Sequence, residues 1–298
     1  MEGASPIETR RLAARKAFVD ARPWKLFVLV IAILIVVVRP AAKLVENEAT
    51  VQVALIYLAL SVPTWAWVRA HLRRAGISML AYLGAWPTGR ELGQGALLWL
   101  SFYAASYGTA YLCAAILGAF DPNLIDLYSF DASPAQPYES AVARTLAAAT
   151  AVLLVSVLAP VTEELLFRGA LLDTWAPRWG RTRAWLASAA FFGVAHGPMA
   201  PSTFVMALAM SSARQLTGGL WLPIAVHAAI NTLPVLNQAF HLLTTGQTPG
   251  ESVNGGSVGL GLLLLAVGLP YPLLYIRRGW SCPSPPLGRA SASVSPPA

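Results

Sequence analysis

The chain has 298 residues, of which 56% are hydrophobic and only 12% are charged, and its net charge is +7. Because a soluble domain carries about 25% charged residues, this composition excludes an ordinary water-soluble protein. No basic run is interleaved with aromatic residues in a polar segment, so the positive charge does not indicate a nucleic-acid partner. The sequence predicts an all-α fold, a polytopic membrane helical bundle surrounded by lipid.

Several apolar runs approach the roughly 20 residues that a helix needs to cross the hydrocarbon core. Residues 1–23 form a polar, basic N-terminal segment without an apparent cleavable signal peptide, so the first apolar run is predicted to be a retained span. About eight spans are predicted, at approximately 24–38, 51–68, 95–120, 141–163, 184–196, 202–213, 220–243 and 257–276.

The connections between these spans carry most of the charge. A charged loop is predicted from Arg39, and a basic hinge containing Arg178, Arg181 and Arg183 is predicted after the fourth span. The basic segment 71–91 is typical of an interfacial amphipathic helix. Residues 277–298 form a Pro- and Ser-rich tail that is predicted to be disordered.

The distribution of Lys and Arg predicts the orientation in the membrane. Eight alternating spans place 18 of the 21 basic residues on one side and leave Arg39, Lys43 and Arg144 on the other. Basic residues collect in cytoplasmic loops, so both termini are predicted to be cytoplasmic. The Ala-, Arg- and Trp-rich composition indicates a GC-rich bacterium, and hence an integral protein of the bacterial inner membrane.

Ionisable residues inside apolar spans are costly and therefore mark functional positions. Glu163, Glu164 and Arg168 lie at the end of the fourth span, after Pro160, which is predicted to kink the helix. Glu164 and Arg168 are four residues apart and predict an ion pair on one helix face. Glu163 points about 100° away and has no cation at that spacing, which suits a general base. Two solvated glutamates at a cytoplasmic helix end are the alternative.

Two further clusters contain histidine. His196 ends the fifth span, and His227 and Asn231 lie four residues apart in the seventh, so the latter two share a helix face. Structural roles are the alternative for both clusters: a buried histidine with satisfied hydrogen bonds, and a hydrogen bond between helices. A carboxylate, two imidazoles and an amide together predict hydrolysis by an activated water with a stabilised oxyanion. The same Glu163, His196 and His227 are a possible zinc site, although no HExxH signature is present.

The three clusters, in this order and on apolar helices, resemble the motif pattern of the CPBP intramembrane proteases. That family includes CAAX prenyl endopeptidases of the Rce1 type and bacterial proteins of bacteriocin processing and immunity. The resemblance implies an intramembrane endopeptidase domain over residues 24–276, with its motif core at 141–243. The implied substrate is a protein or peptide with a membrane anchor. A non-catalytic binding or immunity protein that uses the same polar cavity is the alternative, followed by a proton-coupled transporter.

The resemblance also implies a role for each motif residue. Glu163 activates water and His196 helps to orient it, while His227 and Asn231 form the oxyanion site. Glu164 and Arg168 form a supporting pair. The family has been described both as glutamic and as metal-dependent proteases, and a carboxylate tied to arginine favours the glutamic type here. Because Glu163 and His196 lie near opposite ends of their predicted spans, a longer, tilted fourth span is needed to bring them together.

Overall fold

The computed structural model describes residues 17–18, 20–44, 49–121, 140–245 and 258–282, and the regular structure within these ranges is helical throughout. The predicted fold, an all-α membrane bundle, is thereby confirmed. Most of the predicted N-terminal segment, most of the loop after the third span and most of the predicted tail lie outside the described residues.

Helix α1 consists of three consecutive helical stretches, Pro23–Ile33, Leu34–Val38 and Arg39–Leu44. The helices that follow are α2 (Ala49–Arg74), α3 (Met79–Leu83), α4 (Gly89–Phe120), α5 (Ala141–Trp179), α6 (Arg181–Ala195), α7 (Ala200–Thr217), α8 (Trp221–Thr245) and α9 (Val258–Ser281).

Each of the eight predicted spans coincides with one of these helices, and α3 is the additional short one. Among the described residues, four helices are long and apolar enough to cross a membrane, namely α1 as far as Ala41, α4, α5 and α9. The count of eight crossings therefore remains a prediction. Large apolar side chains point outward, for example Val36 at 70% and Val194 at 74% exposure, as lipid-facing residues do.

Several predicted boundaries are wrong, because helix continues where charge indicated a loop. Helix α1 runs through Arg39 to Leu44, and the predicted basic hinge is a single turn residue, Gly180, between α5 and α6. The segment 71–91 is not one interfacial helix, since it contains the end of α2, the short α3 and the start of α4. Long basic side chains can extend towards water while their backbone stays helical, so charge does not locate helix ends.

The predicted disordered tail begins too early. Helix α9 extends to Ser281, four residues beyond the predicted start at Arg277. The guanidinium of Arg181 donates hydrogen bonds to the carbonyl oxygens of Trp280 and Cys282. At a helix end these carbonyls have no backbone N–H partner within the helix. Arg278 in the last turn also complements the negative end of the helix dipole.

Proline residues introduce two wide, π-helical turns. Leu34–Val38 precedes Pro40 in α1, and Leu154–Leu158 precedes Pro160 in α5. A proline has no N–H to donate, so the carbonyl that faces it loses its partner and the helix changes register locally. In α5, the predicted disturbance at Pro160 therefore takes the form of a π-helical turn within one continuous helix.

Helices α4 and α9 pack in direct backbone contact through glycine. A Cβ at Gly268 would lie 2.5 Å from the backbone nitrogen of Ala105 and 2.7 Å from the carbonyl oxygen of Ser101. A Cβ at Gly261 would lie 3.1 Å from the carbonyl oxygen of Gly108. Small residues of this kind allow membrane helices to approach closely, and here they place α9 against the core.

We expect Gly268→Ala to destabilise the protein by about 1–3 kcal/mol, because the added methyl group meets backbone atoms that cannot rotate away. The midpoint of thermal unfolding in detergent micelles measures the effect. Gly93→Ala is the matched control, since a Cβ at Gly93 meets nothing within 4 Å. Equal unfolding midpoints for the two variants would show that the contact between α4 and α9 is looser than described.

Candidate active site

A helical hairpin brings Glu163 and His196 to the same depth. Helix α5 continues from Glu163 to Trp179, the chain turns at Gly180 with φ of +81°, and α6 returns over 15 residues to end next to His196. At about 1.5 Å per residue, both residues lie roughly 24–26 Å from the turn. The longer fourth span that the sequence required is thus present, as a 39-residue helix.

Glu163 stands at the centre of the cluster. Its Oε2 atom lies 3.9 Å from Nε2 of His196 and 3.8 Å from Nε2 of His227. Within the described part of the chain, this oxygen accepts no hydrogen bond. Both separations exceed direct hydrogen-bond length, and Oε2 itself is buried. As whole side chains, Glu163 and His196 are 27% and 34% exposed.

The hydrogen bonds of the two imidazoles determine which nitrogen faces Glu163. Nδ1 of His196 lies 2.7 Å from the carbonyl oxygen of Phe192, and Nδ1 of His227 lies 2.8 Å from Oε1 of Glu164. A carbonyl and a carboxylate only accept, so both Nδ1 atoms must carry the proton and donate it. Each Nε2 atom therefore presents a lone pair to Glu163, or an N–H when the ring is charged.

Glu164 is completely buried and serves two partners. Its Oε1 accepts from His227 and lies 3.1 Å from Nη1 of Arg168, which is the predicted ion pair. The guanidinium of Arg168 is not aligned for a hydrogen bond with any acceptor among the described residues. It lies instead over the ring of Phe192, with Cζ 4.1 Å from the ring centre. A buried charge needs such compensation, so Glu164 and Phe192 together hold Arg168.

Asn231 lies one turn beyond His227 on α8, and its amide nitrogen donates to the carbonyl oxygen of Val155 at 3.0 Å. The acceptor is available because of the π-helical turn. The N–H of Ala159 donates to Leu154, so in this register the partner of Val155 would be Pro160, which has no N–H. The second N–H of the Asn231 amide is not needed for this bond.

A second group of polar contacts supports Glu163 from α2. The hydroxyl of Thr162, next to Glu163, accepts from Trp65 Nε1 at 2.9 Å and donates to Ser61 at 3.0 Å. Both partners lie on α2, one turn apart, and Ser61 and Thr162 are buried. These bonds fix the rotation of α5 at the position of Glu163.

The cluster offers donor atoms of the kind that bind metal ions. Glu163, His196 and His227 supply one oxygen and two nitrogens, which is the chemistry of a zinc site. Among the described residues, no three His, Cys, Asp or Glu side chains are grouped closely enough to hold a metal ion together. Zinc binding by these three residues stays a prediction from the sequence.

Sequence reasoning missed the contacts that depend on helix register. The bond between Glu164 and His227 joins residues 63 positions apart, and neither helix alone indicates it. It also missed a buried ion pair between Asp173 and Arg214, with Nη2 and Oδ2 at 2.7 Å. Charged residues within apolar helices are a usable signal for this pair, but both lie outside the predicted spans 141–163 and 202–213.

Comparison with known families agrees with the motifs. Residues 145–233 match the profile of the family described as type II CAAX prenyl endopeptidase Rce1-like. The matched segment begins in α5 and ends in α8, so it contains all six motif residues discussed above. Neither the curated proteins nor the solved structures give a significant match.

Proposed function

We propose that the chain, whose residues 145–233 match the Rce1-like family, is a CPBP intramembrane protease that hydrolyses a peptide bond with a water activated by Glu163. The observation that carries this proposal is the convergence of three groups. One carboxylate oxygen of Glu163 lies within 4 Å of Nε2 of both His196 and His227. The substrate is a protein or peptide anchored in the bacterial inner membrane.

The first step is proton transfer. The water forms one hydrogen bond to Oε2 of Glu163 and a second to the lone pair on Nε2 of His196. These two bonds direct a lone pair of the water oxygen towards the scissile carbonyl. As Glu163 takes its proton, the water oxygen bonds to the carbonyl carbon and the carbonyl oxygen becomes an oxyanion. His196 can accept in this way because its Nδ1 proton is committed to Phe192.

The second step is stabilisation and collapse of the tetrahedral intermediate. His227, charged and hydrogen-bonded to Glu164 through Nδ1, donates from Nε2 to the oxyanion, and the second N–H of Asn231 adds another donor. Glu163 then returns the proton to the leaving nitrogen as the C–N bond breaks. The immediate products are a carboxylic acid and an amine, which become a carboxylate and an ammonium group when the remaining water proton moves to the amine, and the carboxylate of Glu163 is regenerated.

Catalysis by the side chains alone predicts that metal removal has no effect. Purified protein is incubated with a library of fluorogenic peptides that carry a hydrophobic anchor, with and without a zinc chelator. We expect the same cleavage rate in both samples, since the mechanism uses only protons and hydrogen bonds. Loss of cleavage with chelator and recovery on addition of zinc would make Glu163, His196 and His227 metal ligands instead.

A further inference from the structure

The motif-bearing part of α5 is a second π-helical stretch, Glu164–Leu171, which contains both Glu164 and Arg168. Its backbone is held from outside the helix. The hydroxyl of Ser188 on α6 donates to the carbonyl oxygen of Phe167 at 3.1 Å. Wide turns of this kind are uncommon and occur frequently at functional sites, where they set the direction of side chains.

Arg214 on α7 makes the largest number of these external bonds. Its Nη1 donates to the carbonyl oxygens of Arg168 and Gly169, the latter at 3.2 Å. Its Nη2 donates to Oδ2 of Asp173 at 2.7 Å. One planar guanidinium therefore bridges two carbonyls and a carboxylate, all on α5, in a geometry that a lysine cannot reproduce.

Tyr82 on α3 closes this cluster from the other side. Its hydroxyl donates to the same oxygen of Asp173 at 2.9 Å. A Cβ at Gly169 would lie 2.9 Å from the Tyr82 oxygen, so the tyrosine packs directly on the wide turn. Burial raises the pKa of Tyr82 well above its usual value, and the hydroxyl therefore remains a donor at any working pH.

The contacts form a continuous path from Arg214 to the candidate active site. Arg214 holds the backbone of Arg168, whose side chain contacts Glu164, and Glu164 accepts the Nδ1 proton of His227. We propose that Arg214 is a positioning residue, whose guanidinium sets the backbone register that aligns Glu164 with His227. This inference rests on the proposed function for its effect on cleavage, but the alignment itself can be measured without any substrate.

The test uses the proton resonance of a histidine hydrogen-bonded to a carboxylate, which lies far downfield. Four histidines in the chain make 15N-histidine labelling of the full protein in micelles tractable, and His227→Gln identifies the signal. We expect Arg214→Lys to shift the His227 Nδ1 proton upfield or to remove it. For Arg214→Lys on the best-cleaved library peptide, we expect kcat to fall about 10-fold or more and KM to stay within about twofold. Losing a group that orients catalytic residues misplaces them and so lowers the rate of the chemical step.

Arg181→Lys is the matched control. Arg181 and Arg214 both line a cavity of about 40 Å³, and Arg181 also donates to two backbone carbonyls, but these belong to the end of α9. It should leave the His227 resonance unchanged. If Arg214→Lys does not fold, Tyr82→Phe, which removes one donor to Asp173, should shift the resonance in the same direction by less.

Three results would overturn the inference. The first is a wild-type protein without the downfield His227 proton. The second is an unchanged resonance in folded Arg214→Lys, or in Tyr82→Phe where Arg214→Lys does not fold. The third is a shift in Arg181→Lys equal to that in Arg214→Lys. Absence of peptide cleavage with a resonance that moves as expected would reject the proposed function alone, so the two failures are distinguishable.

Discussion

Replacing Glu163 by Gln is expected to lower kcat for peptide cleavage by about 10²–10⁴-fold, the usual contribution of a general base. The amide has the shape of the carboxylate but cannot take a proton from water. Folding should be unaffected, because no described group donates a hydrogen bond to Oε2 of Glu163 and the side chain is 27% exposed. Initial rates and unfolding midpoints of the purified variant measure both effects.

Glu163→Asp provides the graded control. It keeps the carboxylate but draws it back from Nε2 of both histidines, so activity between those of wild type and Glu163→Gln is expected. Full activity in Glu163→Gln would remove this residue from the mechanism. Full binding of peptide without cleavage by the wild type would favour the non-catalytic binding protein.

The second large effect is expected at Glu164. Glu164→Gln removes the charge that compensates Arg168, and both side chains are buried at 0–1% exposure. Leaving a buried charge unpaired costs about 3–5 kcal/mol, so the unfolding midpoint should fall markedly. The neutral amide of Glu164→Gln also accepts a weaker hydrogen bond from a charged His227 than the carboxylate does. We therefore expect kcat to fall by about 10–100-fold.

A double variant separates these two consequences. Glu164→Gln combined with Arg168→Met removes both charges, and methionine can still pack on the ring of Phe192. We expect the unfolding midpoint to recover in large part while kcat stays low. Recovery of kcat together with stability would mean that Glu164 acts only by keeping the fold intact.

The architecture could be predicted from sequence because it depends on local patterns. Apolar runs identified the helices, and i,i+4 spacing identified the contact between Glu164 and Arg168. The equal depth of Glu163 and His196 was also available in principle, since the two lie at nearly equal distances from Gly180. The hinge prediction obscured that count, because three arginines around Gly180 were interpreted as a loop.

The remainder depends on relations between helices that no single segment encodes. Donation from Asn231 to Val155 requires both the register of α8 against α5 and the change of register before Pro160. The bridge from Arg214 to Arg168 and Gly169 uses backbone carbonyls, which leave no trace in residue type. The sequence predicted the groups that we propose to carry the chemistry, but not the second set of residues that contacts them.

The most direct test of the central claim uses protein in proteoliposomes, the anchored peptide library and water enriched in 18O, with products identified by mass spectrometry. The account predicts products whose new carboxylate contains one 18O atom for the wild type, and none above background for Glu163→Gln. Equal cleavage by the two proteins, or the same products only when a metal is supplied, would contradict hydrolysis by a water that Glu163 activates.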